Sequence, residues 1–388
     1  MTGAGLAGLY VHVPFCSAVC PYCDFAVRRD DPARHASYVE AIATEAARRD
    51  FDGPFDTIYL GGGTPSALGP AALSALVASL RTRPGGADAM LHMEANPEDV
   101  NEESLALWRD LGVRFLSLGV QSFRDDELRF LGRRHDGREA REAIGRARSA
   151  GIPVVSVDLI FGLPDQDEGR LRESLAVAAD LDHVSAYQLT IEPRTPFGQR
   201  ARRGALQPAS DETQGRLFEV LHSGLAEVGL SAYELSNFAR SEATRSRHNP
   251  KYWEHLPYLG LGPGAHSFDG RRRRWNLPSL TAWETDLETG GEGEEGSEVL
   301  TPLDLARERL LLGLRRPEGL DLAGMRDHYG WDLDERRGPA LDRGIREGWW
   351  SRTDGRLRPT LAGMAIADAL ARDLAPDDGE PGAPRGEG

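Results

Sequence analysis

The chain has 388 residues, of which 40% are hydrophobic and 28% charged, and a formal net charge of −15. That length accommodates one large domain of about 250 residues with one or two small ones. No run approaches the roughly 20 apolar residues of a membrane span, and a uniformly acidic chain repels phosphate backbones, so no nucleic-acid partner is expected. The opening MTGAGLAGLY has no basic start, long apolar stretch or cleavage site, which makes the cytoplasm the expected compartment. Lys251 is the only lysine, and Arg271 to Arg274 are four arginines in a row. A solvated strand or turn is the expected setting of that run, ahead of an anion site.

In chain order, six apolar runs rich in β-branched residues predict strands buried on both faces: Leu9–Pro14, Thr57–Gly62, Leu91–Ala95, Phe115–Val120, Val154–Phe161 and His183–Leu189. Helical patterns follow them at 33–49, 70–81, 101–111, 137–150, 168–181 and 211–229. The first places Tyr38, Ile42 and Ala46 on one face, and the fourth runs into Gly151, a plausible stop. Six β-then-α units imply a parallel α/β sheet with right-handed crossovers, either a partial (β/α)6 barrel or an open doubly wound sheet. This core is expected over residues 1–240. Residues 241–287 read as an irregular extension, and the acidic, Gly-rich 288–300 as a linker. A small module is expected over 301–372, with helices at 303–314, 321–329 and 338–347, a hairpin turning at Asp354-Gly355, and a last helix at 360–372. Helices followed by a hairpin resemble a winged helix. The tail 373–388 is polar and Pro/Gly-rich, a composition that predicts disorder.

The chemistry clusters where strands end, as it does in parallel α/β folds. All three cysteines follow the first strand, Cys16, Cys20 and Cys23, spaced C-x3-C-x2-C. Three thiolates suit three irons of a cubane and leave the fourth open to a small molecule. A zinc site would need a fourth donor, for which His12 and Asp24 are the nearest candidates. After the second strand comes Gly61-Gly62-Gly63-Thr64-Pro65, where glycines permit close backbone approach to a ligand. Glu94 ends the third strand, Gln121 the fourth, and Asp158 lies in the fifth. Each is costly to bury without a partner, and three in register favour a shared ligand over three separate structural hydrogen bonds.

These motifs resemble the radical S-adenosylmethionine (SAM) superfamily, and within it the oxygen-independent coproporphyrinogen III oxidase-like group that includes HemN and the heme chaperones called HemW. The resemblance runs from Leu9 to about Leu370. It implies a radical SAM-type TIM-like barrel with a HemN-like C-terminal module. It also implies a [4Fe–4S] cluster on the three cysteines and SAM contacts from Tyr10, Tyr22, Gly62, Gly63, Thr64, Glu94, Gln121, Arg133 and Asp158, with Thr190 and His266 less securely aligned. Arg133 would pair with the SAM carboxylate, with Arg134 as the alternative if the register shifts by one.

Two features separate branches of the group. The oxidase extends its motif to C-x3-C-x2-C-x-C, whereas this chain has Phe25 there, and only eight residues precede Leu9. The segment RHNPKYW contains H-N-x-x-Y-W from His248 to Trp253, which resembles a HemW signature associated with heme. On that resemblance His248 would ligate heme iron, with Tyr252 and Trp253 on the porphyrin face. From the residues alone, a loop histidine with two core aromatics explains the segment as well. The resemblance therefore implies a heme chaperone that passes heme to an acceptor protein, with dimerisation as a further implication. The alternatives are the oxidase reaction itself and a HemN-like radical methyltransferase.

Overall fold

A computed structural model describes residues 6–51 and 53–377. Strand β1 (Ala7–Val13) is followed by two short strands, β2 (Phe15–Cys16) and β3 (Arg28–Arg29), which pair with each other. Helix α1 (His35–Arg48) leads to β4 (Phe55–Gly62), α2 (Pro70–Arg81), β5 (Met90–Ala95), α3 (Glu102–Asp110) and β6 (Val113–Gln121). Then come α4 (Asp125–Phe130), α5 (Gly137–Ser149), β7 (Val154–Phe161), α6 (Glu168–Val177), β8 (His183–Gln188), α7 (Pro196–Arg202) and α8 (Asp211–Glu227). All six predicted strands and their helices are present within a few residues. β1 is buried at every position but Tyr10, which is what a strand covered on both faces requires. Tyr38, Ile42 and Ala46 are buried on α1. Asp136 caps α5, with Glu139 reaching back to it, and Gly151 just beyond the helix has φ +82°.

The remaining strands of this unit are β9 (Ser231–Glu234), β10 (Asn237–Ala239), β11 (Tyr258–Leu261), β12 (His266–Phe268), β13 (Arg272–Asn276) and β14 (Glu294–Val299), with α9 (Pro250–Trp253) and α10 (Leu280–Glu288) between them. One 12-stranded sheet runs in the order β14-β13-β12-β11-β1-β4-β5-β6-β7-β8-β10-β9. The order does not close on itself, so this is a partial barrel whose centre is parallel and whose margins are antiparallel.

Two expectations about domain limits are corrected here. The stretch 241–287 is not wholly irregular, because β11 lies parallel beside β1 and continues the barrel wall. The acidic stretch 288–300 is not a free linker, because Glu294–Val299 forms the edge strand β14 against β13. The reason is charge and shape complementarity. Arg272 pairs with Glu294 at 3.6 Å and Arg273 with Glu298 at 3.6 Å. Opposite Trp275, a Cβ on Gly296 would stand 2.7 Å from the indole, so the glycine makes room for the ring. Three of the four arginines of the run thus lie in a strand, and glutamates answer the charges of Arg272 and Arg273.

The C-terminal module carries its own core, which includes Leu310, Leu314, Trp331, Leu341, Trp350, Leu357 and Leu370. It comprises α11 (Pro302–Leu314), β15 (Leu320–Asp321), α12 (Leu322–Tyr329), α13 (Leu333–Arg346), the hairpin β16 (Trp350–Thr353) and β17 (Arg356–Pro359), then α14 (Leu361–Ala365) and α15 (Ala367–Leu374). Arg337 at φ −133° kinks α13, and Ile366 at φ −119° breaks the predicted last helix in two. The predicted tail overlaps α15 at Asp373 and Leu374, and residues 378–388 lie outside the described residues. Arg273 binds Glu308 of α11 with two hydrogen bonds of 2.6 and 2.7 Å, fastening the module to the sheet.

Candidate functional site

At the carboxyl ends of β1 and β4 to β8 lies a cavity of about 410 Å³. The cysteine segment forms one wall. It leaves β1 through Pro14 and returns by the β2–β3 ladder, closed by Arg28 N–H to Pro14 O (2.8 Å) and Asp30 N–H to Cys16 O (2.7 Å). Cys16, Cys20 and Cys23 are unpaired, half-buried and all face this cavity. Thr64 Oγ1 donates to Cys16 Sγ at 3.7 Å and Arg133 Nη1 to Cys20 Sγ at 3.4 Å. Burial pushes the Cys16 thiol up to about 11, and the Thr64 hydroxyl, then more weakly Arg133, pull it back. Neither candidate fourth zinc ligand joins them: His12 is hydrogen-bonded to Ala26 O and Tyr10, and Asp24 pairs with Arg194 at 3.4 Å. Among the described residues no three His, Cys, Asp or Glu side chains converge as a single-ion site. A cubane takes one thiolate per iron, so its ligands need not meet at one point. Soft donors on one loop, beside a cationic guanidinium, fit such a cluster.

The opposite walls carry the strand-end polar residues. Gly62, Gly63, Thr64, Glu94, Gln121, Arg133 and Asp158 all line the cavity, as do Tyr22 and Thr190. Glu94 accepts from Tyr59 Oη at 2.6 Å and from the Gly62 amide at 3.1 Å. Burial, then the nearby Asp158 charge, pushes its carboxyl up to about 7. Asp158 accepts from Ser117 Oγ at 3.0 Å and is pushed up to about 6, chiefly by burial. Gln121 adopts φ +70°, a left-handed conformation rare for a residue with a Cβ, at the point where β6 must turn away. Arg133, not its exposed neighbour Arg134, is the arginine of the cavity, and it also donates to Asn96 and to the Gly119 carbonyl at 2.7 Å.

Two predicted SAM residues do not line this cavity. Tyr10 projects from β1 and its hydroxyl is bonded to His12 Nδ1 at 3.0 Å. His266 is exposed on β12, its ring stacked on Trp275 at 6.2 Å. Sequence reading missed Asn96, Tyr59 and Ser117. Asn96 follows Glu94 by two residues at a strand end and was findable by position, whereas Tyr59 and Ser117 act only through their partners Glu94 and Asp158.

The predicted heme residues stand elsewhere. His248 is 1% exposed. Its Nδ1 is 2.9 Å from Thr57 Oγ1 and its Nε2 2.8 Å from Tyr252 Oη, so neither nitrogen is free for iron in this conformation. Thr57 lies five residues before Gly62 on β4, about 16 Å away along the strand, so His248 plugs the amino-terminal end of the barrel. Gly8 admits it, since a Cβ there would meet Lys251 Cδ at 2.7 Å and His248 Cε1 at 2.9 Å. Trp253 packs on Tyr233 (5.7 Å) and under the Arg316 guanidinium (5.8 Å), in the seam with the module. In this conformation the three side chains are committed to the barrel base and the seam, close to the reading of a histidine with two core aromatics that the residues alone allowed.

Residues 10–178 match the Radical SAM superfamily and residues 300–366 the HemN C-terminal domain. The heme chaperone HemW of Bacillus subtilis (strain 168) is 33% identical over 334 residues, covering 84% of this chain and 87% of its own. The heme chaperone HemW of Mycobacterium tuberculosis (strain ATCC 25618 / H37Rv) is 35% identical over 377 residues, covering 95% and 94%. The solved structure of coproporphyrinogen III oxidase (HemN) from Escherichia coli superposes with a TM-score of 0.81 over 95% of this chain and 90% of its own, at 22% identity, which is a likeness of fold. With relatives at these identities and coverages, the chain belongs to the HemW family of radical SAM proteins.

Proposed function

We propose that this protein is a heme chaperone: it binds heme and hands it to an acceptor protein, and it carries a [4Fe–4S] cluster with SAM in the cavity above β1 and β4 to β8. The observation that carries the SAM part is the convergence of three unpaired cysteines, the Gly62-Gly63-Thr64 turn and the Glu94, Gln121, Arg133 and Asp158 side chains on one cavity. The heme part rests on the names of the HemW relatives. When bound, such a cluster supplies a single electron to the SAM sulfonium. Cys16, Cys20 and Cys23 would hold three irons of the cluster, and the glycine turn and Arg133 would bind the amino-acid end of SAM. Phe25 is 71% exposed beside the thiolates and can act as neither ligand nor proton donor, which favours a chaperone over the oxidase reaction.

Heme ligation by His248 belongs to this reading as an opened form, in which Tyr252 has left Nε2. Tyr252→Phe frees that nitrogen and is expected to strengthen heme binding, while His248→Ala weakens it. Soret spectra that are unchanged in both folded variants would remove His248 from the role. The central test uses anaerobically reconstituted protein with SAM and reductant, offered heme and an apo-hemoprotein in one arm and coproporphyrinogen III in the other. Heme transfer without protoporphyrinogen formation is the expected result. Protoporphyrinogen formation at the level of an authentic oxidase would overturn the chaperone reading.

A further inference from the structure

The cysteine loop is tied at its ends by the β2–β3 ladder, but between Cys16 and Arg28 it also has a fastening from inside the barrel. His12, the penultimate residue of β1, is 6% exposed. Its Nε2 lies 3.0 Å from the carbonyl oxygen of Ala26, three residues past Cys23, and its Nδ1 lies 3.0 Å from Tyr10 Oη. A carbonyl oxygen can only accept, so Nε2 carries the proton; Nδ1 is then the acceptor for the Tyr10 hydroxyl. One tautomer satisfies both bonds. Burial holds the imidazole down at about 4, so it stays neutral and keeps that arrangement.

The surroundings are shaped to this ring. A Cβ on Gly62, at φ +101°, would stand 2.4 Å from His12 Nδ1. Tyr38 Oη donates to the His12 carbonyl at 2.9 Å, and a Cβ on Gly264 would stand 2.9 Å from the Ala26 side chain. The middle glycine of the Gly61–Gly63 run therefore makes room for His12 as well as facing the cavity.

We propose that His12 is a positioning residue for the cluster loop: its Nε2–H clamps the Ala26 carbonyl and so fixes the Cys23 side of the loop, with Tyr10 selecting the tautomer that can do it. This rests on the cluster reading above. It assigns Tyr10 an action through His12, which accounts for a tyrosine of the motif whose hydroxyl is directed at a neighbouring side chain.

The test compares full-length wild type with His12→Phe, which keeps a ring without the donor, His12→Gln, whose amide nitrogen can reach the same carbonyl, and Tyr10→Phe. Two readouts are taken on protein shown to be folded by its melting curve: hydrogen exchange of peptides spanning residues 16–29 in the iron-free protein, and the rate at which a chelator strips iron after reconstitution. Losing one buried hydrogen bond should speed both by about five- to tenfold in His12→Phe. His12→Gln should return both to within about twofold of wild type, and Tyr10→Phe should fall between. A folded His12→Phe that matches wild type in both readouts overturns the proposal, as does a His12→Gln no better than His12→Phe. Should His12→Phe not fold, Tyr10→Phe and His12→Gln decide, and unaltered loop exchange in Tyr10→Phe counts against the tautomer role. Wild type that takes up no iron would defeat the cluster reading, while the exchange measurement would still decide the clamp.

Discussion

Burial pushes individual side chains in the barrel interior towards their uncharged forms, and the direction of each shift predicts how stability responds to pH. His92 is 0% exposed, its ring stacks on Phe115 at 4.8 Å, and neither nitrogen has a hydrogen-bond partner. Burial, then the neighbouring His183, pushes it down to about 3. The folded state leaves it neutral while the unfolded chain takes up a proton below about 6.5, so its contribution to stability falls as pH drops from there towards 3. His92→Phe should therefore gain about 1 kcal/mol at pH 7.5 by removing an unsatisfied polar group. Its advantage over wild type should then grow by about 1.4 kcal/mol per pH unit between pH 6 and 4. Urea midpoints at pH 7.5 and 5 measure this; a constant gap between the two proteins would contradict it. Glu94 has the opposite sign. Its carboxyl is raised from 4.5 to about 7, so its contribution is full below 4.5 and is lost as pH rises through 7. Glu94→Gln should be the more stable protein above pH 7 and show no such gain at pH 4. On the SAM reading, the same variant should bind SAM about tenfold more weakly by equilibrium dialysis.

At the scale of elements, the strand ends are where small changes matter most. Gly62 ends β4 at φ +101°, and its Cβ would strike His12. Gly62→Ala should cost about 1–3 kcal/mol from backbone strain alone and should loosen the cysteine loop as His12→Phe does; its melting curve and loop exchange are the checks. At the other end, Lys251 is 3% exposed, with Nζ 2.6 Å from Asp56 Oδ1 and 2.6 Å from the Leu6 carbonyl. It ties α9 to the starts of β1 and β4. Breaking one side of a buried ion pair costs about 3–5 kcal/mol; because Arg247 at 3.5 Å still answers part of the Asp56 charge, Lys251→Met should fall at the lower end of that range. The double variant with Asp56→Asn should recover much of that in a denaturant titration. β14 carries the complementary lesson. Its sequence, EEGSEV, has no strand-like alternation of apolar residues, and it becomes a strand because arginines of β13 and the Trp275 ring receive it.

Across the whole molecule, the cysteine cavity occupies the carboxyl end of the barrel and the H-N-x-x-Y-W segment the amino end, with the C-terminal module docked beside the latter. Arg309 Nη1 donates to the Trp253 carbonyl at 2.5 Å and Arg316 pairs with Glu254 at 3.0 Å. Trp253→Ala should lower stability by about 2 kcal/mol, scaled down from a fully buried tryptophan, and open the seam to limited proteolysis. Iron uptake after reconstitution should be unchanged, because the thiolates lie at the far end. Loss of iron along with the seam would show that the two ends are coupled. Among the described residues no helix is long and apolar enough to cross a membrane.

Much of this was legible in the chain itself. The six strand–helix units are written in local patterns, apolar runs of about six residues and amphipathic helices with their caps, and such patterns need no distant partner to be read. The thiolate spacing is also local, since all three cysteines lie on one loop. Glu94, Gln121 and Asp158 were visible as polar residues in apolar strands, and parallel strands bring such positions to one end. What only the tertiary structure decided depends on partners far apart in sequence. Tyr10 turns to His12 and not into the cavity. The acidic stretch finds the arginines of β13. His248, which follows β4 by nearly two hundred residues in sequence, finds Thr57 and so closes the barrel base. A histidine's two nitrogens cannot be assigned to iron, water or a neighbouring hydroxyl until the fold says what stands within about 3 Å of them.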